Sequence, residues 1–137
     1  MAARTHQDDI ATEVFDWGSI KWGVTDEHFP EASLTVGEVV INPTFGHDVH
    51  THPDSDEVLY IIEGEGEQTV ADSGKFPVRA GDSIYIPRGV EHSTFNTGWK
   101  QLRLLAVYNP GGSEKALRSA PDYARLEPGS APVWVRG

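Results

Sequence analysis

The chain has 137 residues, 38% of them hydrophobic, no cysteine and a formal net charge of −10 at pH 7. That length fits one domain with a modest core, and the composition is too apolar for a disordered chain. An acidic surface repels phosphate backbones and disfavours nucleic-acid partners, while the lack of cysteine leaves only nitrogen and oxygen to hold a metal.

No apolar stretch approaches the ~20 residues that span a bilayer. The opening "MAARTHQDDI" lacks the apolar middle of a secretion signal, so a cytoplasmic location without a membrane partner is the expectation. From there, short runs with apolar residues at period two follow one another. "TEVFDW" (12–17), "SLTVGEVVIN" (33–42), "EVLYIIEG" (57–64), "GEQTVAD" (66–72), "SIYIP" (83–87), "EHSTFN" (91–96) and "QLRLLAVYN" (101–109) predict strands. The turn signals "NPTFG", "EGEG", "DSGK", "RAGD", "PRG" and "NTG" fall between them. Regularly spaced short strands of this kind predict an all-β antiparallel sandwich or barrel.

Beyond the strands, "SEKALRS" (113–119) reads as a short helix with Ser113 as its cap. From Ala120 onward, "APDYARLEPGSAPVWVRG" carries three prolines and reads as an irregular surface tail that Trp134 and Val135 could pin down. The expectation is one domain over 1–137, with a barrel core at about 33–109 and a tail from 110 to 137. Charge is uneven along it. Residues 1–99 hold 18 acids and 5 bases, and residues 100–137 hold 3 acids and 6 bases. Two readings follow: the basic tail lies across the acidic body or a partner subunit, or it is simply solvated.

Candidate chemistry concentrates in "VHTHPDSDEVLYIIEG" (49–64) and "GDSIYIPRGVEHSTFN" (81–96). On a strand, side chains at i and i+2 share a side, so His50 and His52 project together. After the turn "PDSD", Glu57 opens a strand whose i+2 series continues through Leu59 and Ile61. If that side is the interior, a bare carboxylate there costs several kcal/mol, so it needs a cation or a proton. Pro87 and Gly89 make a tight turn after "SIYI", and His92, Thr94 and Asn96 share one side of the return strand. Three imidazoles and one carboxylate converging from two hairpins suit a divalent transition metal. Four protein ligands in an octahedral shell leave two positions open, the arrangement of a working metal rather than a structural one.

These two stretches resemble the motifs of the cupin superfamily. The first fits H-x-H-x4-E-x6-G through His50, His52, Glu57 and Gly64; the second fits G-x5-P-x-G-x2-H-x3-N through Gly81, Pro87, Gly89, His92 and Asn96. The glycine that usually opens the first motif six residues before the His pair is missing, and Gly46 stands four before His50 instead. Only 16 residues separate the motifs, as in compact one-barrel cupins of microbes. The resemblance implies a jelly-roll β-barrel, a metal on His50, His52, Glu57 and His92, and frequently a homodimer. Bacterial monocupins of similar form include dioxygenases and aromatic polyketide cyclases.

The remaining residues take provisional roles. His47 is read as an acid/base, a spare ligand or a loop residue. Phe45, Leu59, Ile61, Tyr85, Thr94 and Leu104 are candidate walls of a substrate cavity, though each could equally be core. Asn96 is expected to tether strands or to support His92 from behind, and Gly64, Gly81 and Gly89 to permit turns with positive φ. Trp17, Trp22 and Trp99 could cap the barrel mouth or a dimer seam. The metal could be iron, manganese, nickel, copper or zinc. Its substrate would be a small oxygenated molecule that chelates through two oxygens, either enolisable or phenolic. Oxygenation with dioxygen and non-redox cyclisation or isomerisation both remain open, as do a ligand-binding or sensing role and a metal-free one.

Overall fold

The computed structural model describes residues 3–132, so Trp134 and Val135 lie outside the described residues. Eleven strands follow one another along this stretch: β1 (Thr12–Phe15), β2 (Gly18–Val24), β3 (Thr35–Ile41), β4 (Gly46–His50), β5 (Asp56–Glu63), β6 (Glu65–Val70), β7 (Gly74–Arg79), β8 (Ser83–Ile86), β9 (His92–Asn96), β10 (Leu102–Asn109) and β11 (Ala124–Leu126). They form two antiparallel sheets. The larger has the order β11-β1-β2-β3-β10-β5-β8 and the smaller β4-β9-β6-β7. This is the all-β antiparallel sandwich that the period-two runs predict, with the jelly-roll form that the resemblance implies.

Alternation explains where the core lies. On β3 and β10 every second residue is buried, among them Ile41, Leu102, Leu104 and Ala106. Leu59 and Ile61 on β5 lie beside Ile84 and Ile86 of the neighbouring β8 on the same inner face of the larger sheet. Burying one such side chain contributes about 1.5–3 kcal/mol, so these inward rows dominate the stability of the fold.

Four strands differ from expectation. The β2 sequence "GSIKWGV" is interrupted by two glycines, which weakens its strand signal, yet it pairs along β3. Pro77 sits within β7, a strand at the edge of the smaller sheet, where a missing N–H breaks no ladder. Gly46–His50 forms β4, which pairs with β9, and Ala124–Leu126 leaves the irregular tail to pair with β1. Strand pairing thus extends outside residues 33–109. Gly64, Gly81 and Gly89 adopt φ of +94°, +98° and +79°, as turns of this kind require.

The short helix Ser113–Ser119 is present as a 310 helix, but Ser113 does not cap it. Gly112 occupies the cap position, and Glu114 accepts from the Gly112 amide at 2.9 Å. Ser113 Oγ instead meets Ser55 Oγ at 2.5 Å. Basic residues of this segment lie across the acidic body: Lys115 pairs with Asp26 at 2.9 Å and Arg118 with Glu27 at 2.7 Å. Of the two readings of the charge asymmetry, the draped tail is the one observed.

Candidate metal centre

Strand register brings the two sequence stretches together. His50 and His92 are direct cross-strand partners on β4 and β9. Glu57 reaches the same space from the opposite sheet, on β5 between Ile86 of β8 and Tyr108 of β10. His52 lies two residues past the end of β4 rather than on it. Its carbonyl accepts from the Gly89 amide at 3.0 Å, which ties the two hairpins together. One ligand atom from each of His50, His52, Glu57 and His92 lies within 4.8 Å of the other three.

Backbone carbonyls set the rings. His50 Nδ1 lies 2.6 Å from the Asp48 carbonyl and His92 Nδ1 lies 2.9 Å from the Val90 carbonyl. A ring that donates from Nδ1 keeps its Nε2 lone pair free for a cation. His92 Nε2 is 2.9 Å and His52 Nε2 3.7 Å from Glu57 Oε1. All three of these buried atoms lack a hydrogen-bond partner. Leaving a buried polar atom unpaired costs about 1–3 kcal/mol. A divalent cation satisfies all three at once, and three imidazoles with a carboxylate are a donor set suited to a transition metal. The residues fit the ion.

Electrostatics agree with neutral imidazoles on the β4 side. Burial brings His50 down to about 2, with the neighbouring His47 and His92 adding to it, and brings His47 down to about 4. Burial also lowers His52 against the pull of Glu57. At His92 burial acts downward too, but Glu57 and the Val90 carbonyl outweigh it and the net shift is upward. Behind the carboxylate stands Tyr108, the cross-strand partner of Glu57, and its ring lies 4.7 Å from that of His52. Burial and Glu57 hold the Tyr108 hydroxyl in its protonated form.

A cavity of about 40 Å³ adjoins the cluster, walled by Trp17, Val39, Leu59, Thr94, Leu104 and Leu117. His47 also lines it, from β4 rather than from a loop, with its ring 3.9 Å from His50 and 5.2 Å from Trp17. Thr94 donates to Gln68 at 2.5 Å, which holds its hydroxyl in place. A larger surface hollow of about 490 Å³ beside Arg79, Trp99 and Lys100 contains none of the four donors.

Of the expected walls, Leu59, Thr94 and Leu104 are there. Tyr85 is not: it is 59% exposed on the outer side of β8, because Ile84 and Ile86 take the inward positions of that strand. Ile61 and Phe45 pack with the hydrophobic core instead of lining the cavity. Asn96 does not touch His92. Its amide donates to the Ile41 and Lys100 carbonyls, both at 2.8 Å, and accepts from the Gly98 amide, so it is a strand tether. Trp17 closes the cavity, Trp22 is buried, and Trp99 is 97% exposed. Tyr108 and Leu117 were not anticipated. Tyr108 shares the parity of Leu104 along β10, a signal present in the sequence, whereas Leu117 sits in the tail and carries none.

Comparison with known proteins agrees with this geometry. The family model described as a cupin domain matches residues 37–108. Protein SchB of Streptomyces halstedii is 29% identical over 103 residues, covering 75% of this chain and 74% of its own. The polyketide synthase CurC of Streptomyces cyaneus is 31% identical over 75 residues, covering 55% of this chain and 48% of its own. Among solved structures, the oxalate decarboxylase of Lactobacillus farciminis in its formate complex superposes with a TM-score of 0.72 at 28% identity. That match covers 85% of this chain and 37% of the decarboxylase. The chain spans about half the length of several curated relatives it matches.

Proposed function

Since the chain belongs to the cupin family, we propose that it is a mononuclear metal-dependent enzyme acting on a small oxygenated substrate, and that it works as a homodimer. The observation that carries this reading is the convergence of four donors in which three buried atoms lack a partner. His50, His52, Glu57 and His92 would hold a divalent transition metal. When bound, such an ion supplies Lewis-acid polarisation of a substrate oxygen and, if redox-active, dioxygen chemistry.

The chain's own residues do the rest. Tyr108, the cross-strand neighbour of Glu57, backs the carboxylate. Leu59, Leu104, Val39 and Trp17 exclude water from the cavity and suit an apolar or aromatic substrate body. His47 lines the cavity but stands outside the four-donor cluster, so its imidazole is the group placed to accept or return a substrate proton. Thr94 is the polar wall residue that can orient a substrate oxygen. Oxygenation and non-redox cyclisation or isomerisation are both compatible with this set. The similarity to polyketide synthase CurC favours a phenolic or polycarbonyl substrate.

The test begins with elemental analysis of purified protein. About one divalent metal per chain is expected, with large losses in Glu57→Ala and His92→Ala while the β-rich circular dichroism spectrum is retained. Oxygen uptake with a panel of diketones and phenols then separates oxygenation from ring closure. Full metal content in both variants overturns the ligand set. Tight ligand binding without turnover across the panel turns the reading to a binding protein.

A further inference from the structure

The surface hollow of about 490 Å³ has the size of a small-molecule site and stands at the other end of the sandwich from the four donors. β5 runs from Glu57 at the metal cluster to Glu63, and β9 runs from His92 to Asn96. Three turns gather at the far ends of these strands: Gly64 between β5 and β6, residues 80–82 between β7 and β8, and residues 97–101 between β9 and β10. The extended course of β5 puts roughly 20 Å between the two places.

Hydrogen bonds between the turns hold its walls. Asn96 accepts from the Gly98 amide and donates to the Lys100 carbonyl, both at 2.8 Å, which pins the loop on either side of Trp99. The Asp82 carboxylate accepts from the Arg79 amide at 2.7 Å, and the Ala80 amide donates to the Gly64 carbonyl at 3.2 Å. On this pinned loop the Trp99 indole is 97% exposed, a large apolar ring left in water. Two cations line the same hollow. Among the described residues, Lys75, Arg88, Arg103, Lys115, Arg118 and Arg125 each form an ion pair with a carboxylate, whereas Arg79 and Lys100 form none. Acids outnumber bases 21 to 11 along the chain, so scarcity of acids does not explain this. Glu65, the cross-strand partner of Arg79, also lines the hollow, but its side chain lies against Gly98.

We propose that this hollow is a second ligand site and that it takes a small aromatic monocarboxylate, the ring stacked on Trp99 and the carboxylate held by Arg79 and Lys100. An exposed indole offers a flat apolar face to a planar ring. A guanidinium fork beside an ammonium suits a carboxylate. Charge decides between carboxylate and phosphate. Arg79 and Lys100 against Glu65 leave one surplus positive charge among the lining residues, which a monoanion neutralises. A phosphate dianion would leave the hollow negative on a chain whose net charge is already −10. The site shares no residue with the metal cluster and stands whether or not a metal is bound.

Titration of the full chain with naphthoate, as purified and again in EDTA, tests this through the indole N–H signals of its four tryptophans. The Trp99 signal is the one absent from Trp99→Phe, and the Trp17 signal reports on the cavity beside the metal donors. The Trp99 signal is expected to move saturably in both conditions, with a dissociation constant of about 1 mM or below, while that of Trp17 stays in place. By calorimetry, Trp99→Ala and the pair Arg79→Gln with Lys100→Gln should each weaken binding about tenfold or more. All three side chains are exposed, so the fold is retained. Naphthalenemethanol, which keeps the ring without the charge, and acetate, which keeps the charge without the ring, should bind about tenfold more weakly or worse. The assignment is overturned if Trp17 responds instead of Trp99, if nothing moves at about 10 mM naphthoate, or if EDTA abolishes the response. Equal binding of the alcohol, or tighter binding of inorganic phosphate, overturns the ligand class.

Discussion

Replacing Glu57 by glutamine should shift stability in opposite directions with and without metal. In neutral His92 the Nδ1 donates to the Val90 carbonyl, and the Nε2 lying 2.9 Å from Glu57 Oε1 is a lone pair facing an acceptor. Because Glu57 favours the protonated ring, the comparison is made at alkaline pH. Neither atom has a hydrogen-bond partner. A glutamine amide at this position donates to Nε2. Satisfying one buried acceptor and removing a buried charge gains about 1–2 kcal/mol in chelator. With about 4 °C of Tm per kcal/mol for a domain of this size, the variant should melt roughly 4–8 °C above the wild type. Metal reverses the order. A cation at a hundred times its dissociation constant stabilises the wild type by about 2.7 kcal/mol, or roughly 11 °C, and the variant by much less. Differential scanning fluorimetry with EDTA, then with manganese, iron(II), nickel, copper or zinc, reads both arms. The ligand assignment fails if no divalent metal raises the wild-type Tm, or if the variant responds to the metal as fully as the wild type.

Three further outcomes are expected. Leu117→Ala enlarges a cavity of about 40 Å³; because Leu117 is only partly buried, it should cost about 1–2 kcal/mol, below the range for fully buried leucines. It should also tighten the binding of bulkier diketones, measured by calorimetry. Gly37→Ala would place a Cβ 2.2 Å from the Trp22 ring. Displacing Trp22 also breaks its 2.6 Å hydrogen bond to buried Glu13, so a loss of about 2–5 kcal/mol by denaturant titration is expected, with a shifted tryptophan emission. Asn96→Ala leaves the Ile41 carbonyl and its other partners unpaired, and should cost about 2–4 kcal/mol. Metal content in the folded fraction should not change, since Asn96 touches no ligand.

Much of the site was legible because spacing and alternation are local. His50, His52, Glu57 and His92 follow from two short motifs, and the inward course of Glu57, Leu59 and Ile61 from period two alone. Tyr85 lies outside because two isoleucines outcompete one tyrosine and one serine for the inward side of β8. Strands with weak local signals were also missed. Pro77 suppresses β7 in any propensity reading, although an edge strand tolerates it. The pairing of β11 with β1 is decided by contacts more than 100 residues apart in sequence, which no local pattern reports.

The tail joins the charge asymmetry to the cavity. Its start is fixed firmly: buried Glu114 accepts from Thr35 at 2.7 Å, and Ser55 donates to the Pro110 carbonyl at 2.7 Å. The far side is held by Lys115 on Asp26 and Arg118 on Glu27, ion pairs open to solvent and therefore weak, by Arg118 at 3.6 Å from buried Glu13, and beyond them by the pairing of β11 with β1. Leu117 lies between these two attachments and contributes a wall of the cavity. A space of about 40 Å³ is well below the roughly 300–1,000 Å³ of typical ligand pockets. Substrate entry therefore requires a wall to yield. Strand-borne walls such as Leu59 and Leu104 are fixed on both sides by ladder hydrogen bonds. Leu117 instead rests on a 310 turn outside both sheets, so it can shift without breaking a strand ladder.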